Sequence, residues 1–171
     1  MGSGKPEAEE RKGLLRKARE DAVAFIGISA RTSGAVAASL RRSGYAEEVV
    51  DGVVDSLRED GYLKDKEIAR ALLARSGGKL AESRDALRDR MTRRGVPSDV
   101  SEQVLGDAEE DRVSASSLLR VQFPESRLDA LKTPSDANRM AVRMVRFLAS
   151  RGYDAETAEE AVRKALERFD G

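Results

Sequence analysis

A basic, helix-like run that stops at a glycine and restarts as an acidic, helix-like run occurs three times in this chain. The stretches are "SLRRSGYAEEVVDGVVDSL" around Gly44, "DRMTRRGVPSDVSEQVLGDA" around Gly95 and "FLASRGYDAETAEEAVRKAL" around Gly152. Their glycines lie 51 and 57 residues apart, a recurrence that points to an array of repeated helical units. Four residues before each glycine stands a large apolar side chain: Leu40, Met91 or Leu148. Tyr45, Val96 or Tyr153 follows directly. Then Val49, Val53 and Leu57, Val100, Val104 and Ala108, or Thr157, Ala161 and Ala165 recur in steps of four, one stripe of an α-helix.

Each glycine suits the position just past a helix end, where a left-handed backbone satisfies the last carbonyls. Basic residues precede it (Arg41 and Arg42, Arg93 and Arg94, Arg151) and fit the negative end of a helix dipole. Acidic residues follow it (Glu47 and Glu48, Asp99, Asp154 and Glu156) and fit the positive start of the next helix.

Each unit needs a further helix in front. The first spans about residues 7–30, with Leu14, Leu15, Ala18, Ala22, Phe25 and Ile26 inward and with Gly13 and Gly27 weakening it. Thr32 or Ser33 caps a helix ending at Arg42 or Ser43. Asp65 reads as the N-cap of the next, with Ile68, Leu72 and Leu73 at helical spacing. "SGG" ends that helix, and a helix opens near Ser83. "VSASSLLRVQF" forms a helix that Pro124 breaks, and Thr133 caps the one after it, with Pro134 at its first position. The expectation is an all-α fold of nine helices in three tandem three-helix repeats, at 21–63, 64–112 and 113–169. They form an elongated, curved array behind an N-terminal extension at 1–20 that is partly helical or disordered.

Composition agrees. Ala, Glu, Lys, Leu and Arg make up about half of the 171 residues, as in long or repeated helices. The chain has neither Cys nor His, which removes disulfides, thiolate metal sites, thiol nucleophiles and every histidine-based triad. No catalytic residue, metal or cofactor is expected. No apolar run approaches the roughly 18 residues of a membrane span. A cytoplasmic monomer is the expectation. "GSGKP" at 2–6 lacks the spacing of a phosphate-binding loop and reads as a tail. Tyr45, Tyr62 and Tyr153 each follow a glycine and read as packing residues rather than base-stacking platforms.

The net charge is zero with 36% charged residues, so charge is sorted rather than absent. Residues 64–96 hold ten basic side chains against five acidic, and residues 97–112 hold one against six. Residues 134–153 hold four against one. Helices of opposite sign can simply steady each other. A cationic face on the middle unit, built from Lys79, Arg84, Arg88, Arg90, Arg93 and Arg94, would instead steer the protein toward an acidic surface or a phosphate backbone.

"DGYLKDKEIARALL", "RRSGYAEEVVDGVVDSL", "SRDALRDRMTRRGV" and "RMVRFLASRGYDAETAEEAV" together resemble the RecX family, bacterial regulators of the RecA recombinase. The resemblance covers about residues 20–168 and keeps the order of all three units. The inter-repeat motif is carried by Gly61, Tyr62, Leu63 and Asp65, and the repeat glycines are Gly44, Gly95 and Gly152. Departures are Lys64 where the family has the first of two acids, Ile68 in place of an aromatic, and Val36-Ala37 for Glu-Leu. "SGGKLAES" also differs from a basic Lys-Gly segment.

The resemblance implies a modulator without chemistry of its own. It would bind the groove of the RecA–single-stranded-DNA filament and suppress ATP hydrolysis and strand exchange. Weak single- or double-stranded DNA binding can accompany that role. The alternative reading is a stand-alone helical nucleic-acid-binding protein, which the acidic third helices disfavour.

Overall fold

The computed structural model describes residues 4–167. Gly2 and Ser3 of the tail motif, and residues 168–169 of the third expected repeat, lie outside them. Among the described residues the fold is all-α, as the sequence predicts: ten α-helices, one 3₁₀ turn and no strand. In order they are α1 (Gly4–Ile26), α2 (Ser33–Arg42), α3 (Glu47–Glu59), α4 (Asp65–Ala74), the 3₁₀ turn (Gly78–Leu80), α5 (Arg84–Arg93), α6 (Ser98–Gly106), α7 (Asp111–Gln122), α8 (Glu125–Leu128), α9 (Pro134–Ala149) and α10 (Ala155–Leu166). The sequence reading has nine helices; the tenth is α8, a single turn that Pro124 opens after α7 has ended.

The helix–glycine–helix pattern appears in the backbone. Gly44, Gly95 and Gly152 have φ of +86°, +74° and +86°. The residue after each glycine donates its N–H to a carbonyl of the preceding helix: Tyr45 to Leu40, Val96 to Met91 and Tyr153 to Leu148. These are the closing bonds of helix C-termini. The next helix starts three residues past each glycine, at Glu47, Ser98 and Ala155.

The chain packs as two compact units. One holds residues up to Ala69 together with Met91–Ser101; the other holds Arg70–Arg90 and the residues from Glu102 on. In the first, α1, α2 and α3 enclose a core of Ala18, Ala22, Val36, Leu40, Val50 and Leu57, each at most 2% exposed. Burying a Leu or Val side chain stabilises by about 1.5–3 kcal/mol, so this cluster accounts for why three short helices hold together. In the second, α7, α9 and α10 enclose Leu118, Leu119, Met144 and Leu148, with Phe123 and Phe147 in edge-to-face contact at 5.7 Å.

Three details differ from the sequence reading. The first helix ends at Ile26 rather than near residue 30, because Gly27 takes a φ of +51° there. It also runs unbroken through residue 20, the expected end of the extension, and buries Ala18. Leu14, expected inward, is 44% exposed, whereas its neighbour Leu15 packs on the first core. Finally, Asp65 is the first residue of α4 rather than its N-cap, and its carboxylate serves a different helix.

Candidate partner-binding surface

The helix starts are fixed by side chains that come from far along the sequence. Thr32 caps α2, accepting the N–H of Ala35 at 3.2 Å, and the next N–H, that of Ser33, goes to Asp65 Oδ1 at 2.7 Å. The Ser33 hydroxyl donates to the other Asp65 oxygen. The same arrangement recurs in the second unit. Ser83 accepts the N–H of Ala86 at 3.1 Å, and the N–H of Arg84 goes to Asp111 Oδ1 at 2.9 Å. Both satisfy helix-start donors that would otherwise be buried without partners. Burial holds the Asp111 carboxyl above its ordinary range. On α9 the cap is local: Thr133 and Asp136 form a reciprocal capping box, with Pro134 at the first helical position, as the sequence predicts.

The glycine turns dock on these helix starts. Within the first unit the Gly34 N–H donates to Gly95 O at 3.0 Å, and the Thr32 hydroxyl donates to Arg94 O at 2.7 Å. Within the second the Ser83 N–H donates to Arg151 O at 3.0 Å. A Cβ on Gly34 would lie 2.6 Å from Gly95 O, and one on Gly152 would lie 2.7 Å from Ser83 Oγ. No sequence signal announces these approaches, because each partner is tens of residues away.

Of the expected basic set, Lys79, Arg84, Arg88 and Arg90 belong to the second unit, and Arg93 and Arg94 to the first. Three of them are engaged by the fold. Arg84 donates to Leu105 O at 2.6 Å. Arg88 lies between Asp85 and Glu102, donating to Glu102 at 2.5 Å. Those bonds hold the Arg88 guanidinium above its usual range and the Glu102 carboxyl below its own. Arg90 donates to Leu72 O at 3.0 Å and pairs with Glu82 at 3.3 Å. Lys79, Arg93 and Arg94 are exposed, and their side chains have no hydrogen-bond or ion-pair partner among the described residues. Lys79 stands on the 3₁₀ turn. Arg93 closes α5 and Arg94 follows it on the docked glycine turn.

Gly61, Tyr62 and Leu63 form the turn that leaves α3. Gly61 takes φ +74° after α3, the Tyr62 N–H closes on Leu57 O at 2.9 Å, and Leu63 packs on the first core. Tyr62 lies under the Arg19 guanidinium at 5.7 Å. Tyr45 donates to Asp21 at 2.6 Å, and the buried Tyr153 hydroxyl bonds Ser114 at 2.6 Å, while Tyr62 stays 45% exposed. The sequence reading passed over Arg139, Arg143 and Arg146 as individual residues. They share one exposed face of α9, and their i, i+4, i+7 spacing was the available signal. Among the described residues no group of acids is arranged to hold a metal ion, and no helix is long and apolar enough to cross a membrane.

No family model matches the chain. Curated relatives do. The regulatory protein RecX of Mycobacterium bovis (strain BCG / Pasteur 1173P2) is 30% identical over 92% of this chain and 88% of its own length. That of Clostridium botulinum (strain Alaska E43 / Type E3) is 28% identical over 91% of this chain and 71% of its own. In fold, the chain is similar to the crystal structure of RecX from Lactobacillus salivarius, with a TM-score of 0.63 at 13% identity, covering 90% of this chain and 97% of that one. Sequence likeness over nearly the whole chain, joined to the shared helical fold, shows that the chain belongs to the RecX family.

Proposed function

We infer that this chain regulates the RecA recombinase in recombination and DNA repair. It binds the RecA–single-stranded-DNA filament in the cytoplasm and lowers its ATP hydrolysis and strand exchange, with no catalysis of its own. The observation that carries this reading is the 30% identity, over nearly the whole of both chains, to a protein named regulatory protein RecX. Three tandem repeats at about 21–63, 64–112 and 113–169 are the organisation we assign. The recurrence of Thr32–Ser33–Asp65 as Ser83–Arg84–Asp111 supports it. A chain built this way offers helix ends and turns at regular intervals, as suits a partner that is itself a repeating polymer.

The filament contact belongs to Lys79, Arg93 and Arg94 within the expected basic set, because their charges are not consumed by the fold. Arg84, Arg88 and Arg90 hold the helices that present them. Cosedimentation with RecA filaments assembled on single-stranded DNA tests this. Lys79→Glu, Arg93→Glu and Arg94→Glu combined should release the protein from the filament while its helix content and melting temperature stay as they were. Undiminished cosedimentation of that variant would remove these residues from the contact.

A further inference from the structure

Within the second unit a cavity of about 450 Å³ opens between the end of α7, the single turn α8 and the end of α10. Its wall is apolar: Leu119, Phe123 and Leu128, each at most 5% exposed, joined by the half-buried Ala165. The Phe123 ring is fixed from two sides, by the edge contact with Phe147 and by the Arg127 guanidinium, which lies over it at 5.7 Å. A ring held in this way resists swinging in to fill the space. A volume of this size falls in the range of about 300–1,000 Å³ typical of small-molecule sites, which pair apolar walls with a few polar groups.

Four charged residues complete the lining, two of each sign. Lys164 is paired with Glu160 at 2.8 Å, and Glu167 with Arg163 at 3.5 Å. Arg120 and Glu125 are exposed, and neither side chain has a partner among the described residues. The fold therefore leaves one cation and one anion uncommitted beside an apolar hole. A purely apolar ligand would use neither charge. An organic anion would satisfy Arg120 but face Glu125, and an organic cation would do the reverse. A compound with both charges on one end and an apolar body on the other meets every feature of the lining. Its carboxylate suits the two-pronged guanidinium, and its ammonium suits the free carboxylate.

We propose that this cavity is a binding site for a free α-amino acid with a large apolar side chain. The side chain enters between Leu119, Phe123 and Leu128, the α-carboxylate meets Arg120 and the α-ammonium meets Glu125. The site shares no residue with the Lys79, Arg93 and Arg94 contact, and it stands whether or not the recombinase reading holds. The probes are L-phenylalanine and L-leucine, titrated into the full chain by calorimetry without any recombinase. At least one of them should bind, and glycine, which has no apolar body, should not. 3-Phenylpropionate lacks the ammonium and 2-phenylethylamine lacks the carboxylate. Each should bind at least about tenfold more weakly than L-phenylalanine, because one charged group of the site is then left unpaired. Arg120→Gln and Glu125→Gln, both surface changes, should each weaken amino-acid binding at least about tenfold while the melting temperature stays as it was. Ala165→Trp, which fills the cavity from α10, should abolish binding with helix content unchanged. The proposal is overturned if the unaltered protein binds neither amino acid at millimolar concentration, or if both Gln variants bind as the unaltered protein does. It is also overturned if 3-phenylpropionate binds as tightly as L-phenylalanine, which would make the cavity a site for simple organic anions.

Discussion

Asp65 accepts two hydrogen bonds from Ser33, thirty-two positions earlier: the backbone N–H at 2.7 Å and the hydroxyl. Both residues are buried, at 8% and 3% exposure. The start of α4 thereby caps the start of α2. Removing the carboxylate would strand a helix-start donor away from water. Asp65→Ala should therefore lower stability by about 2–3 kcal/mol in urea unfolding, and Asp65→Asn by less, since one acceptor remains. A loss below about 0.5 kcal/mol for the alanine variant would show that the bond does not matter to the fold.

Gly34 and Gly95 allow a separate test. A Cβ on Gly34 meets Gly95 O at 2.6 Å, and one on Gly95 meets Ala35 N at 2.7 Å; all of these are backbone atoms that cannot swing aside. Gly44 has open space around it and only its φ of +86° to lose. Gly34→Ala and Gly95→Ala should each destabilise more than Gly44→Ala, whose cost should be about 1–2 kcal/mol. Equal costs at the three sites in thermal unfolding would contradict the close approach.

The arginines should separate by role. Arg84→Ala removes a guanidinium bonded to Leu105 O and should cost about 1–3 kcal/mol of stability. Arg94→Ala, with no internal partner for its side chain, should fall within about 0.5 kcal/mol of the parent. Parallel urea titrations compare them directly.

The start of α10 should be sensitive to acid. Asp154 accepts the Thr157 N–H at 2.8 Å and the Thr157 hydroxyl at 2.9 Å, and these bonds hold its carboxyl below the ordinary aspartate range. A depressed native value contributes stability that is present above the unfolded value and is lost as pH falls through the native one. The melting temperature should therefore drop between about pH 4 and about pH 2, and Asp154→Asn should make that drop shallower. An identical acid profile for the variant would exclude Asp154 as a contributor.

The local signals in the sequence carried through to the structure. Glycines preceded by arginine and followed by an apolar residue produced helix ends at Gly44, Gly95 and Gly152, and Thr133-Pro134 produced the start of α9. Asp65 was recognisable as a helix-start acid, but its partner was not. The distance from Ser33 to Asp65 along the chain leaves no periodicity to read. The same holds for Gly34 against Gly95. The candidate contact residues were legible as a class, by charge density over 64–96. Which of them the fold would use internally depended on carbonyls such as Leu72 O and Leu105 O, to which composition is blind.

The most direct measurement follows ATP hydrolysis by RecA filaments on single-stranded DNA while this protein is titrated in, with an unrelated helical protein as control. Hydrolysis should fall in a dose-dependent way and reach a plateau. Hydrolysis that stays at the control rate, at protein concentrations equal to or above that of the recombinase, would contradict the regulatory role.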